Sequence, residues 1–260
     1  MKLYAIREVS EITGIKPVTL RAWQRRYGLI QPERTESGHR LYTEANIEKI
    51  KLIQSWLVKG VSIGKIKGLI DSDTDINDES DVEMLSEVDG LMSALATLNK
   101  SKAESLITMV MKEYPLDIVK AQFFYPVLER IERVKASQRS LQKALLQSLM
   151  ISKATSIIEA ENRAFKKGKA LMVNLDNVGS LPAWFSALEL SDNGYNITFL
   201  DGVDELSGLA EIVNKSKLDL VYIYSNRGLP AKLAEGVRLL EEQLTVELQV
   251  SELIQKMRFA

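Results

Sequence analysis

Apolar residues near the start of the chain recur with the period of two short helices. The first helix has its apolar stripe at Ile6, Val9 and Ile12 and is closed by Gly14. The second begins near Pro17, whose missing N–H is tolerated in a first turn. Its predicted buried face consists of Leu20, Trp23 and Tyr27. Two short helices joined by a glycine-containing turn are the elements of a helix-turn-helix.

The residues after Gly28 form two short extended stretches about a Glu-Ser-Gly turn. This pattern predicts a β-hairpin wing over residues 29–42, with His39, Arg40 and Tyr42 on its return strand. Thr43 is the predicted N-cap of a helix that runs to Gly60. Residues 1–70 are therefore predicted to form a winged helix-turn-helix domain.

From Leu91 to about Arg163 the apolar residues keep a helical period. Pro115 separates a stripe that ends at Tyr114 from one that begins at Phe124, and a longer stripe follows at 146–158. Three or four helices with such stripes can pack together, so residues 91–166 are predicted to form a helical bundle.

After Gly168 the pattern changes to short apolar runs separated by helical stretches. Strands are predicted at 170–175, 195–200 and 218–224, and helices at 181–191, 204–214 and 230–243. Residues 245–250 fit a strand or a helix. This rhythm predicts a small flavodoxin-like parallel α/β domain over residues 167–260, and the expected fold class is multidomain α and α/β.

The charges divide the chain into a basic and an acidic part. Residues 1–70 contain 13 Lys and Arg against 6 Glu, whereas the remainder contains 21 basic against 29 acidic residues. Residues 71–89 carry nine acids and no base, so residues 71–90 are predicted to be an acidic linker. A calcium loop is the alternative, but the spacing of Asp73, Asp75 and Asn77 lacks the mid-loop glycine that such a loop needs. A basic module on an acidic body favours a nucleic-acid-binding head with a regulatory part.

The composition excludes several chemistries. Cysteine is absent from the 260 residues and His39 is the only histidine, which excludes disulfides, thiolate metal sites, iron–sulfur clusters and two-histidine metal sites. No apolar run approaches the roughly 18 residues of a membrane span, and no signal-peptide core follows Met1. A cytoplasmic protein without membrane contacts is expected.

The N-terminal residues resemble the DNA-binding domain of the MerR family. The resemblance lies in the run from Pro17 to Gly28 and in the segments Pro32–Thr35 and Gly38–Tyr42, and it covers about 70 residues. It is closest to the branch that contains the MlrA-type biofilm regulators and the light-sensing cobalamin-dependent repressors. The resemblance implies that the second helix enters the major groove and that the wing holds the flanking backbone.

Arginine suits this role because its planar fork grips a phosphate or a guanine edge with two hydrogen bonds. Trp23 fits a core position equally well, Arg26 fits a solvated position, and His39 fits a passive wing residue. The candidate DNA-binding residues are Thr19, Arg21, Trp23, Arg25, Arg26, His39, Arg40 and Tyr42.

The rest of the chain resembles the cobalamin-binding half of the light-sensing branch in the order of its elements, but not in its motifs. The loop after the first predicted strand, residues 175–181, contains no histidine to ligate cobalt, and the predicted bundle contains no Trp and no His. Residues 167–260 are therefore expected to form a degenerate cobalamin-binding domain that holds neither a cofactor nor a metal.

The predicted function is a sequence-specific, homodimeric transcription regulator, since two copies read an inverted repeat. By the resemblance, it is expected to be an activator that bends and untwists promoter DNA for RNA polymerase and is controlled through its C-terminal body. The resemblance to the MlrA-type regulators also implies, as one option, that signalling proteins of cyclic-di-GMP pathways are partners of that body. The alternatives are a direct small-ligand sensor, with Arg227 and Lys232 as anion holders for cyclic-di-GMP, a repressor, and an architectural DNA-binding protein.

An enzyme is the competing class. No nucleophile has an evident histidine partner, and no glycine-rich phosphate loop is present. Asp176 and Asp201, at predicted strand ends, are the candidates for a metal pair, although solvated loop acids explain them as well. No catalytic residue is assigned, and the expectation is a protein that is not an enzyme.

Overall fold

The computed structural model describes residues 2–36, 38–72 and 84–258 and divides into two compact units. Unit 1 runs to Leu146 and unit 2 begins at Gln147, so the predicted head and most of the predicted bundle belong to one unit. Most of the predicted linker, including the calcium-loop alternative at Asp73, Asp75 and Asn77, lies outside the described residues.

Unit 1 begins with a winged helix-turn-helix. Its elements are β1 (Leu3–Ala5), α1 (Ile6–Thr13), α2 (Pro17–Ala22), β2 (Glu33–Arg34), β3 (Arg40–Thr43), α3 (Glu44–Val58) and α4 (Ile63–Ser72). Helix α2 continues directly into a π-helical turn, Trp23–Tyr27. The three strands form an antiparallel sheet in the order β1-β3-β2, with Tyr4 opposite Tyr42.

Local sequence explains these elements. Thr43 caps α3 as predicted, because the Asn46 N–H donates to its Oγ1 at 3.2 Å and its own N–H donates to Asn46 Oδ1 at 3.1 Å. The predicted stripe of α1 needs a correction. Val9 is fully buried, but Ile12 is exposed, and Thr13 is buried in its place with its hydroxyl bonded to the Val9 carbonyl.

Five helices follow in the chain, and a second π-helical turn, Val119–Phe124, lies among them. They are α5 (Glu87–Ala96), α6 (Lys100–Glu113), α7 (Leu116–Ile118), α8 (Tyr125–Glu132) and α9 (Ala136–Asn162). Helix α5 begins inside the predicted linker, because Leu85 and Val88 are buried and the Leu85 N–H donates to the Gln122 carbonyl at 2.9 Å. The acidic run therefore ends in packed structure.

Unit 2 contains a parallel four-stranded sheet in the order β5-β4-β6-β7. Its elements after α9 are β4 (Gly168–Asn174), α10 (Leu181–Asp192), β5 (Tyr195–Leu200), α11 (Leu209–Asn214), β6 (Leu220–Tyr224), α12 (Ala231–Gln243), β7 (Glu247–Val250) and α13 (Glu252–Arg258). This is the flavodoxin-like strand order for four strands. Residues 247–250 are a strand, which resolves the ambiguity left by the sequence, and α11 begins five residues later than predicted.

The predicted fold class is confirmed: a winged helix-turn-helix is followed by helices and then by a parallel α/β domain. A core of apolar side chains, with Val173, Val221 and Ile223 fully buried, supports the sheet of unit 2. Across the described ranges, none of the helices combines the length and the apolar character that crossing a bilayer demands.

Candidate nucleic-acid interface

The recognition helix is α2 together with its π-helical turn. Apolar residues on one side of it are buried in the core, and arginines lie on the other side. Leu20 and Trp23 have exposed fractions of 0%, so they fix the helix on the core. Arg21 is half-buried and Arg25 is exposed. Neither guanidinium has an ion pair with a carboxylate among the described residues, which leaves both charges available to an anion.

The wing presents a second pair of arginines. Arg34 on β2 lies directly opposite Arg40 on β3, and like charges in this arrangement repel each other. Arg40 is oriented by the recognition helix, because its Nε–H donates to Gln24 Oε1 at 2.6 Å. A pair of cations held together without a carboxylate between them is suited to a phosphate, which would relieve the repulsion.

The tip of the wing is closed by hydrogen bonds of the Thr35 backbone and hydroxyl. Its N–H donates to the His39 carbonyl at 2.9 Å, and its hydroxyl accepts from the His39 N–H at 3.0 Å. The His39 side chain is exposed. The turn therefore places the single imidazole of the chain at the solvent edge of the wing.

Tyr42 lies beneath this surface. Its side chain is fully buried, and burial raises the pKa of its hydroxyl, while the nearby charges of Arg40 and Arg21 oppose that shift. The hydroxyl oxygen has no hydrogen-bond partner among the described residues. Tyr42 is therefore a buried residue beneath Arg40 and Arg21 and does not face outward.

Three side chains at the end of the recognition helix converge on Glu113, the last residue of α6. The Trp23 indole N–H donates to the Glu113 carbonyl at 2.7 Å, and the Tyr27 hydroxyl donates to Oε2 at 2.6 Å. The Arg26 guanidinium forms an ion pair with Oε1. Burial, followed by the hydrogen bond to Glu113, raises the pKa of Tyr27.

The structure thus separates the eight predicted contact residues into two groups. Arg21, Arg25, His39 and Arg40 lie at the surface of the recognition helix and wing. The other four are placed differently in this conformation: Thr19, Trp23 and Tyr42 are buried, and Arg26 is paired with Glu113. Trp23 thus occupies the core position that the sequence also allowed. The aromatic residues are buried because the small domain needs their area for its core.

Three residues of this surface were missed from the sequence. Arg34 follows from the hairpin register, since a strand pair centred on the Glu-Ser-Gly turn places it opposite Arg40. Gln24 had a weaker signal, its position between Arg21 and Arg25 on the same helix. Glu113 had none, because 87 residues separate it from Arg26.

The carboxyl edge of the sheet in unit 2 was the other predicted site. Here Asn174, fully buried, donates to Asp201 Oδ1 at 2.7 Å and accepts from the Asp176 N–H at 3.0 Å. Asp201 Oδ2 accepts from the Gly179 N–H at 2.9 Å. The Asp176 carboxylate accepts from the Ser225 hydroxyl at 2.9 Å and from the Asn226 N–H. Both carboxylates thus hold loops, and no group of three or more metal-ligating side chains converges within the described ranges.

These loops pack closely against their surroundings. A Cβ atom at Gly179, whose φ is +80°, would lie 2.3 Å from the Gln147 amide nitrogen, and the Gln147 side chain donates to the Gly179 carbonyl at 2.8 Å. A Cβ atom at Gly202, whose φ is +74°, would lie 2.4 Å from a methyl of Val178. The loops require glycine at both positions, for conformation and for space.

The two candidate anion holders of unit 2 are already partnered. The Arg227 Nη2–H donates to the Leu175 carbonyl at 3.2 Å, and its Nε lies 3.6 Å from Asp176 Oδ1. Lys232 forms an ion pair with Glu205, which lowers the pKa of that carboxyl. Neither cation therefore faces an anion site without a competing carboxylate.

Comparison with known proteins identifies relatives that match most of the chain. Residues 4–73 match the profile of the MerR HTH family regulatory protein. The chain is 30% identical over 230 residues to the HTH-type transcriptional regulator MlrA of Escherichia coli (strain K12), covering 87% of this chain and 90% of that protein. It is 32% identical over 203 residues to MlrA of Salmonella typhimurium (strain SL1344), covering 77% and 80% of the two chains. A solved structure of a MerR-family transcriptional regulator from Bacillus cereus aligns with a TM-score of 0.27 and 21% identity, over 58% of this chain and 99% of that one.

Proposed function

The chain belongs to the MerR family of DNA-binding transcriptional regulators, in its MlrA-type branch, and from this premise we propose that it binds promoter DNA through Arg21, Arg25, Arg34, His39 and Arg40. One observation carries the proposal. The recognition helix and the wing present arginines that have no carboxylate partner in the described chain, and Gln24 ties the two elements together by orienting Arg40.

The residues divide into two roles. Arg21 and Arg25 lie on the recognition helix, which in a helix-turn-helix enters the major groove, so we assign Arg21 to a base edge and Arg25 to a phosphate at the groove wall. Arg34, His39 and Arg40 lie on the wing and are assigned to the flanking phosphates. Buried Thr19, Trp23 and Tyr42 fix the helix and the wing in place.

We further propose that the protein acts as a homodimer on an inverted repeat. One head of about 70 residues makes few base contacts, and two heads related by a two-fold axis double that number. In this proposal the dimer bends and untwists the DNA between the half-sites and activates transcription together with RNA polymerase. Sequence-dependent deformability of the central base pairs then contributes to specificity.

Control of this activity is assigned to the regions outside the winged helix, acting without cobalamin or metal. The hydrogen-bonded loops at the sheet edge of unit 2 support this assignment, since their polar groups are satisfied by one another. A protein partner, such as a signalling enzyme of a cyclic-di-GMP pathway, fits this arrangement better than a small ligand does, because Arg227 and Lys232 are paired with acids.

Footprinting on genomic promoter fragments tests the proposal. The expected result is a protected inverted repeat whose binding survives an excess of random duplex, with sites hypersensitive to cleavage at its centre where the DNA is distorted. Equal competition by random duplex would instead identify an architectural DNA-binding protein. A protected site without distortion and without transcript gain in a purified system would favour a repressor.

A further inference from the structure

Glu113 lies in an unusual position for an acid. Its side chain is 4% exposed, yet it carries a carboxylate that accepts from both Arg26 and Tyr27. A buried carboxylate is costly unless it is paired and hydrogen-bonded, and Arg26 and Tyr27 supply those partners to Glu113. Two of its three contacts with the recognition helix are made by its carboxylate, and of these only the ion pair with Arg26 depends on its charge; the third, from Trp23, uses the backbone carbonyl.

The Arg26 side chain is 54% exposed and follows Arg25 directly in the recognition helix. Such a guanidinium would ordinarily be free to bind a phosphate beside its neighbour. The ion pair with Glu113 competes with such binding, because a carboxylate already engages the Arg26 Nη1 group and offsets the charge that would attract a phosphate.

Both π-helical turns of unit 1 lie at this junction. One of them, Trp23–Tyr27, supplies all three contacts to Glu113. The other, Val119–Phe124, contains buried Gln122, whose side-chain amide donates to the Leu57 carbonyl of α3 at 2.7 Å. π-Helical turns are rare and occur frequently at functional sites, which supports a functional role for the junction between the winged helix and helices α5–α8.

Resting on the proposed DNA interface, we propose that Glu113 is a positioning residue that withholds Arg26 from DNA phosphates. Movement of α6 away from the recognition helix would free Arg26 for one more phosphate contact per protomer and would remove the support of Trp23 and Tyr27. The helices after the winged helix thereby set how many phosphates the recognition helix can neutralise.

The salt dependence of DNA binding measures this number directly, because the slope of log K against log salt changes by about 0.9 for each phosphate contact. The isosteric substitution Glu113→Gln removes the charge and keeps an amide for Tyr27 and the backbone carbonyl for Trp23. It is expected to steepen the slope by about 0.9 per protomer, which is about a 3.5-fold greater loss of affinity between 50 and 200 mM salt. The gain should disappear in the double variant Glu113→Gln/Arg26→Gln.

Arg25→Gln and Arg26→Gln form a matched pair that decides the question even if Glu113→Gln does not fold. Arg25→Gln is expected to reduce the slope by about 0.9 per protomer, and Arg26→Gln by less than half of that. Equal losses for the two variants, or a steeper slope in Glu113→Gln that persists without Arg26, would overturn the assignment of Glu113. A wild-type slope in Arg25→Gln would count against the proposed DNA interface. The role of Glu113 would then be decided by the slopes of Glu113→Gln and of Glu113→Gln/Arg26→Gln.

Discussion

The two predicted binding regions differ in how their polar groups are satisfied. In the winged helix, Arg34 and Arg40 are placed side by side and Arg21 is left without a carboxylate partner in the described chain. At the sheet edge of unit 2, Asp176 and Asp201 each accept several hydrogen bonds from neighbouring loops. The winged helix thus presents arginines without carboxylate partners in the described chain, whereas the carboxylates at the sheet edge are hydrogen-bonded within the protein.

The largest effect, a loss of unfolding free energy, is expected when the hydrogen-bond network at the sheet edge of unit 2 is broken. Asn174→Ala leaves Asp201 and the Asp176 N–H without their buried partner and is expected to cost about 3 kcal/mol of unfolding free energy. Calorimetric unfolding measures this loss. Asn193→Ala, at an exposed position, is the control and should stay within about 0.5 kcal/mol of the wild type. Equal effects of the two substitutions would show that the edge is not held by Asn174.

The arginines should have the opposite profile, a large effect on DNA binding and a small one on stability. Arg21→Ala is expected to cost about 1–3 kcal/mol of binding free energy and to relax base preference, whereas Arg40→Ala should weaken all sequences alike. Binding to a panel of single-base operator variants distinguishes the two. Arg133→Ala, at the exposed residue that follows α8, is the control. Indistinguishable behaviour of the two arginine variants would contradict the assigned roles.

A smaller effect is expected when the connection between helix and wing is removed. Gln24→Leu deletes the acceptor of the Arg40 Nε–H and should weaken DNA binding by about 0.5–1.5 kcal/mol, because Arg40 is no longer held in position. Fluorescence anisotropy with an operator duplex measures the change. Gln138→Leu, on an exposed position of α9, should leave affinity unaltered. No loss in Gln24→Leu would show that Arg40 is positioned by the strand alone.

The smallest effect is expected when small ligands are added, because the polar groups at the sheet edge of unit 2 are already hydrogen-bonded. Titration calorimetry of the full chain with cyclic-di-GMP should give no heat, and hydroxocobalamin should separate from the protein on gel filtration. Micromolar binding of the dinucleotide that Arg227→Gln abolishes would contradict the comparison and favour direct sensing. Retention of the corrin absorption band at one equivalent would show that the protein binds cobalamin and would contradict this prediction.

Local pattern was enough to predict much of this molecule. The Pro17 start of the recognition helix, the Thr43 cap and the buried Leu20 and Trp23 all follow from short-range spacing. The alternating strands of unit 2 were also predicted, because parallel strands buried on both faces read as continuous apolar runs.

Long-range contacts could not be predicted in the same way. The ion pair of Arg26 with Glu113 depends on packing between segments far apart in the chain, and neither residue has a distinctive neighbour in sequence. The early start of α5 was hidden because its acids resemble a solvated linker, although Leu85 and Val88 anchor them. Trp23 was a candidate for both core and contact and Tyr42 for contact alone, and both are buried.

The most direct test of the account is charge reversal at the two arginines that represent helix and wing. The double substitution Arg21→Glu/Arg40→Glu places two carboxylates where phosphates are proposed to bind, with both side chains partly exposed and free of buried ion pairs. Footprinting on the wild-type operator is the measurement. The account predicts complete loss of protection by a variant whose thermal unfolding matches the wild type, and undiminished protection would contradict it.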